Sequence, residues 1–356
     1  MGLEVQDQRL PLRKLSLLVR DLRHPRPFIY WTDLICCVVA VDIGLLLSGP
    51  FPGGMTGHPA IGIAGFVIAV FALYRASYFN HEIAHQSRRL PGFAFVWNLF
   101  VGIPLLVPSF LYSDHLNHHS VRSFANRSDA EYFPPELRGA RGALALLVAS
   151  FLLPFVYAVR FAVLAPAACL MPSVRHWVDT RASSLGLLGL SPREPPAENE
   201  RWSWRVQEAA CFCYLLAGAA GLASGLIPLE LPVRFYAITV CVLALHGIRI
   251  MAGHRYEADA NARTLVDQML DSFNFTGHRP LTWLMVPLGF DLHALHHLFP
   301  TLPYHNMRAA HRRIMAALPA GSIYHSVESP SFFAAVMAFL GRGRENTGRS
   351  AGATAP

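Results

Sequence analysis

Charge is scarce in this sequence. Asp, Glu, Lys and Arg make up 15% of its 356 residues, where soluble domains carry about 25%. That scarcity argues against two or three soluble domains, against a disordered chain and against a basic tail that binds nucleic acid. Lysine is almost missing: Lys14 is the only one, and every other cation is Arg. The six cysteines (Cys36, Cys37, Cys169, Cys211, Cys213 and Cys241) lie in apolar stretches with no C-x-x-C pair. This excludes a zinc ribbon, a disulfide scaffold and a ferredoxin-type cluster, and leaves them as small buried hydrophobes. There is no G-x-G-x-x-G loop, no C-x-x-C-H and no His-Pro-Gly-Gly, so no electron-carrier motif is visible. No internal repeat is visible either.

Two things are abundant. The nine apolar residue types account for 53% of the chain, and histidine occurs 17 times. The first points to a multi-spanning membrane protein. A span needs about 20 apolar residues to cross about 30 Å of hydrocarbon, and the stretches 28–48, 59–79, 208–228 and 232–252 qualify. Two others are ambiguous: 91–112, with Pro91, Pro104 and Pro108, and 142–170, with Pro154, Arg160 and Pro166.

Cations orient the spans. The arm 1–27 holds Arg9, Arg13, Lys14, Arg20, Arg23 and Arg26, and reads as a cytoplasmic segment rather than a cleavable signal. The segment 171–206 holds Arg175, Arg181, Arg193, Arg201 and Arg205, whereas the connections at 49–58 and 228–232 hold no cation. With both ends of 80–206 inside, the two ambiguous stretches together cross an even number of times. The expectation is therefore all-α: four transmembrane helices, re-entrant or interfacial helices, and a cytoplasmic histidine-rich cap. One domain would run over 28–340, and 341–356 would be a disordered tail. Both termini would be cytoplasmic, in a bacterial inner membrane. Asp33 and Arg75 fall about 6–8 Å below the same surface in neighbouring antiparallel spans, which predicts an ion pair.

The histidines then fall into clusters. The second span, continued to residue 86, is about 42 Å long and overhangs the hydrocarbon by some 12 Å. On the overhang lie His81-Glu82-Ile83-Ala84-His85, two imidazoles on one helix face. Alone, this is also the H-E-x-x-H pattern of zinc proteases, in which Glu82 would be the base. Two further clusters follow: His115-Leu116-Asn117-His118-His119 and His293-Ala294-Leu295-His296-His297. Positions i, i+3 and i+4 share a face, so each holds three imidazoles. Eight imidazoles exceed one zinc with four ligands and suit two metals. Nitrogen ligation favours iron, copper, zinc or nickel. A protease using only His81, Glu82 and His85, and a metal carrier without catalysis, are the readings from other classes. The protease also lacks a buried Asp in the third and fourth spans.

In order, the three boxes, the last followed by Leu298-Phe299-Pro300, resemble the membrane fatty acid desaturase/hydroxylase superfamily over roughly 28–315. The resemblance implies four spans under a cap that holds two irons, with O2 as co-substrate. It also implies a ninth imidazole near the end of the fourth span; His254 is preferred over His246, which would lie about 9 Å inside the hydrocarbon edge. The metal set is then His81, His85, His115, His118, His119, His254, His293, His296 and His297. Glu82, Asp114, Asp129, Glu131 and Asp291 are candidates to orient the rings by accepting their other N–H, and His305 to support or cap. Three residues between the histidines of the first box look like the acyl-lipid and sphingolipid branches. Desaturation of a lipid-linked acyl chain is the first expectation, and hydroxylation or ketolation of a lipid, carotenoid or alkane the second. Electrons would come from a separate donor, ferredoxin-like or a small haem carrier.

Overall fold

The computed structural model describes residues 8–49, 58–126, 129–185, 192–258 and 264–351. The chain forms two compact units that alternate along it. One comprises Pro27–Asp114 and Leu147–His246; the other comprises Met1–Arg26, His115–Leu146 and Gly247–Pro356.

Long apolar helices dominate the first unit. Among the described residues, five helices are long and apolar enough to cross a membrane: Pro27–Leu47, Pro59–Arg89, Ala140–Leu170, Glu198–Ala223 and Glu230–Met251. That is one more than the four read from the sequence. The addition is the stretch set aside for its prolines and Arg160. Pro154 sits inside the helix, and a π-turn over Arg160–Leu164 loosens the backbone just where Pro166 withholds its N–H. The Arg160 charge is met in place: its guanidinium bonds Glu208 at 2.5 Å and the Ala182 carbonyl at 2.7 Å. Glu208 also receives Arg175 at 2.9 Å and Arg205 at 3.2 Å. The other ambiguous stretch holds only the short helix Phe93–Gly102, too short to span.

The first two long helices pack closely because glycine lets them. A Cβ on Gly44 would stand 2.6 Å from the Ala69 nitrogen, and one on Gly65 2.6 Å from the Leu47 Cβ. Small residues of this kind set the contact where water drives nothing together. Across the same interface, Arg75 grips Asp33 with two bonds, at 2.9 and 2.5 Å. The pair expected from helix depth alone is present.

In the second unit, short helices stack on one core. Leu15 and Val19, Val266 and Met269, Leu292, Leu295 and Leu298, and Met307, Ala310 and Ile314 are all buried in one cluster. The helix His293–Leu298 is buried along its whole length, so all of its imidazoles face protein. A two-stranded parallel sheet, Asn274–Phe275 against Glu328–Ser329, ties the ends of this unit. The helix Phe332–Ala351 covers residues 341–351, where the composition reads as disorder; 352–356 lie outside the described residues. Its buried face, Phe332, Ala335, Val336 and Phe339, has helical spacing, and Phe339 meets Phe133 at a tilt and Tyr256 edge-on.

Candidate metal centre

Four imidazoles meet inside the second unit. His118 and His254 bring their Nε2 atoms to 3.1 Å, His254 and His293 to 3.2 Å, and His293 and His297 to 3.3 Å. All four rings are buried, and one nitrogen of each lies within 4.8 Å of the others. Beside them a second group gathers, with Nε2 of His119 2.9 Å from His115 and 3.0 Å from His296. The i, i+3, i+4 spacing explains the split: His118 goes to one group, His115 and His119 to the other. The third box divides likewise, His293 and His297 from His296. In the first unit, His81 and His85 face each other with ring centroids 4.7 Å apart.

The outer nitrogens show which way the lone pairs point. His118 Nδ1 lies 2.9 Å from both Asp129 oxygens, and His115 Nδ1 2.5 Å from Glu131. His297 Nδ1 faces the Gln268 carbonyl at 3.2 Å, and His254 Nδ1 the Ser272 hydroxyl at 3.1 Å with Asp271 at 3.5 Å. Acceptors on Nδ1 keep the proton there, so each Nε2 turns a lone pair inward. Neutral imidazoles with converging lone pairs repel unless a cation sits among them. Nitrogens about 2.0–2.1 Å from one metal stand about 2.9–3.4 Å apart, and the measured 2.9–3.3 Å fits. The residues therefore suit a nitrogen-ligated two-metal centre.

Electrostatics differ from ligand to ligand. Burial holds His254 and His293 below the usual imidazole range, the latter aided by His297 and His254. For His118, burial would lower the pKa, but the charge and hydrogen bond of Asp129, with the charge of Glu131, together raise it. Burial would raise Glu131, yet His115 pulls its carboxyl down to about 2.

The other candidates are placed differently. Glu82 is buried, accepts the Tyr30 hydroxyl and lies 3.6 Å from His81 Nδ1. Asp114 accepts from Ser184 at 3.3 Å. Asp291 pairs with Arg308, while burial pushes its carboxyl up to about 6. His305 caps the Arg26 backbone N–H at 3.1 Å. His246 stacks on Tyr78 and bonds Ser77 at 2.8 Å, apart from the four-imidazole group that contains His254. Gln268, Asp271 and Ser272 went unnoticed in the sequence. The one local signal is a capping box, Thr264 with Asp267, which starts the helix that presents Gln268.

The model of the family described as fatty acid desaturase matches residues 56–328. The chain belongs to the fatty acid desaturase family. It is also 34% identical over 328 residues to a ceramide hydroxylase of Caulobacter vibrioides (strain NA1000 / CB15N), covering 91% of each chain. Both lie in the membrane desaturase/hydroxylase superfamily, and the protein is a multi-pass membrane oxidoreductase of lipids.

Proposed function

We propose that the protein is an O2-dependent di-iron enzyme that oxidises the hydrocarbon chain of a ceramide-like lipid within the membrane. The observation that carries this is the converging, orientation-fixed set of imidazoles in a chain of this family. His118, His254, His293 and His297 hold one metal. His115, His119 and His296 supply three ligands to the other, and the family resemblance assigns His81 and His85 to the metal set as well.

Iron bound there, given O2 and two electrons per turnover, supplies an oxidant for an unactivated C–H bond, beyond the reach of side-chain acids, bases and nucleophiles. The protein's own part is placement. Asp129, Glu131, Gln268 and Ser272 fix ring tautomer and angle, and burial favours the neutral form of His254 and His293. Apolar helices present one segment of a lipid chain, because about 1 Å of misplacement decides the outcome.

Two outcomes of the oxidation have support. Desaturation accords with the family that the chain matches; hydroxylation accords with the name of the relative that matches over nearly the whole chain. The lipid class rests on that relative and on the three-residue spacing of the first box. Electrons come from a separate donor, ferredoxin-like or a small haem carrier. The centre faces the cytoplasm of a bacterial inner membrane with both termini on that side, so four of the five apolar helices cross and Ala140–Leu170, which holds Pro154 and the π-turn, enters without crossing. The arginine distribution supports this side, and so does the packing of the N-terminal arm and the C-terminal region in one unit.

Expression in a host supplied with ceramide, followed by lipid mass spectrometry, tests the reading. Under air the wild type yields a product that has lost two hydrogens or gained one oxygen, and His297→Ala yields neither. An unchanged lipid profile with the wild type contradicts it.

A further inference from the structure

One turn into the membrane from His81, the helix Pro59–Arg89 carries polar groups that the metal centre does not use. Ser77, His81 and His85 repeat every four residues and so share one face of that helix. Ser77 bonds His246 Nε2 at 2.8 Å, and both side chains are only part-buried. The Tyr78 ring stacks on His246 with centroids 4.7 Å apart, while Tyr74 meets it edge-on at 4.9 Å. Three positions beyond Ser77 is Asn80, 5% exposed, whose side-chain oxygen is buried with no hydrogen-bond partner among the described residues. A hydroxyl and a buried carbonyl on the helix Pro59–Arg89, with an imidazole facing them from Glu230–Met251, are costly among apolar spanning helices, and such groups mark where a polar ligand passes.

Resting on the proposed lipid oxidation, we propose that Ser77, Asn80 and His246 bind the polar end of the substrate and set which carbon is oxidised. The Asn80 carbonyl needs a donor, which an amide N–H or a hydroxyl supplies and an ester does not. Ser77 donates its proton to the Tyr74 carbonyl at 2.7 Å, so it accepts from His246 Nε2, and the pair offers only acceptors, His246 Nδ1 among them, to a second substrate hydroxyl. Ser77 and His81 are about 6 Å apart along the helix, about five bonds of an extended chain. Oxidation therefore falls close to the amide or hydroxyl of the lipid and not in mid-chain. These are positioning residues; none of them is a metal ligand.

The test uses the full-length protein in detergent with two probes, a ceramide and a methyl ester of the same acyl chain. Metal-free wild type gains thermal stability from the ceramide and little from the ester. The iron-loaded enzyme oxidises the ceramide near its polar end. Ser77→Ala and Asn80→Ala keep the iron content but lose the ceramide-induced stabilisation. They lower kcat/KM for ceramide about tenfold and spread the site of oxidation along the chain. Asn80→Gln, which keeps the carbonyl, restores part of the selectivity. Variants that retain wild-type preference and position overturn the assignment. A wild type that oxidises neither probe overturns the underlying lipid-oxidation reading, and this inference with it.

Discussion

Asp129 is a side chain whose effect is felt one bond away. Its carboxylate holds His118 Nδ1 through both oxygens and also accepts the backbone N–H groups of Ala125 and Glu131. It therefore fixes ring and loop together. Asp129→Asn should weaken metal binding about 10–100-fold, the usual effect of removing a group that orients a ligand; equilibrium titration of the metal-free protein with Fe(II) measures it. His305→Ala, which loses only a cap on Arg26, should leave that affinity unchanged. Asp33 and Arg75 give a second prediction. Either single alanine leaves a charge with no partner, whereas the double variant leaves none. Thermal unfolding in detergent should show the double variant more stable than additivity allows, by about 0.5–3 kcal/mol. Additive losses would mean that the two bonds contribute nothing.

Helices show why some features were legible in the sequence and others not. The depth of Asp33 and Arg75 depends only on residue count along two adjacent spans, so their pairing could be read directly. The helix Ala140–Leu170 depends on partners far along the chain. Pro154, Arg160 and Pro166 each oppose a membrane helix, and the π-turn, the Ala182 carbonyl and the Glu208 carboxylate reconcile them. No local pattern announces Glu208 as that partner. Removing one member of a buried pair costs about 3–5 kcal/mol, while exchanging both for apolar residues costs far less. Here the carboxylate is shared: Glu208→Leu takes it from Arg160, Arg175 and Arg205, whereas Arg160→Met leaves Glu208 paired with the other two, so Glu208→Leu should unfold at markedly lower temperature than Arg160→Met, as read by scanning calorimetry or a thermal melt. The tail taught the same lesson: Arg342 reaches the Arg255 carbonyl and Glu257, and this anchoring holds a helix where composition reads as disorder.

For the whole molecule, chemistry was more legible than architecture. Three boxes with fixed spacing named eight imidazoles, and helix depth separated His254 from His246. The partition into groups, with His118 leaving its own box to join His254, His293 and His297, exists only once the chain folds. So do Gln268 and Ser272, since a glutamine and a serine carry no metal signature. A metal bound by neutral imidazoles competes with protons. His118, raised by Asp129, takes up its proton first as the pH falls, and His254 and His293, lowered by burial, later, so iron should be held at neutral pH and lost under acid, which dialysis at graded pH with iron analysis would follow. Retention through pH 5 would mean a different ligand set.

The central claim is that these histidines hold two irons. Metal content per chain, measured by mass spectrometry of protein purified from iron-supplied cells, tests it most directly. The account predicts about two irons per chain in the wild type, and fewer in His297→Ala and His119→Ala. A wild type carrying a single zinc, or no metal at all, contradicts it.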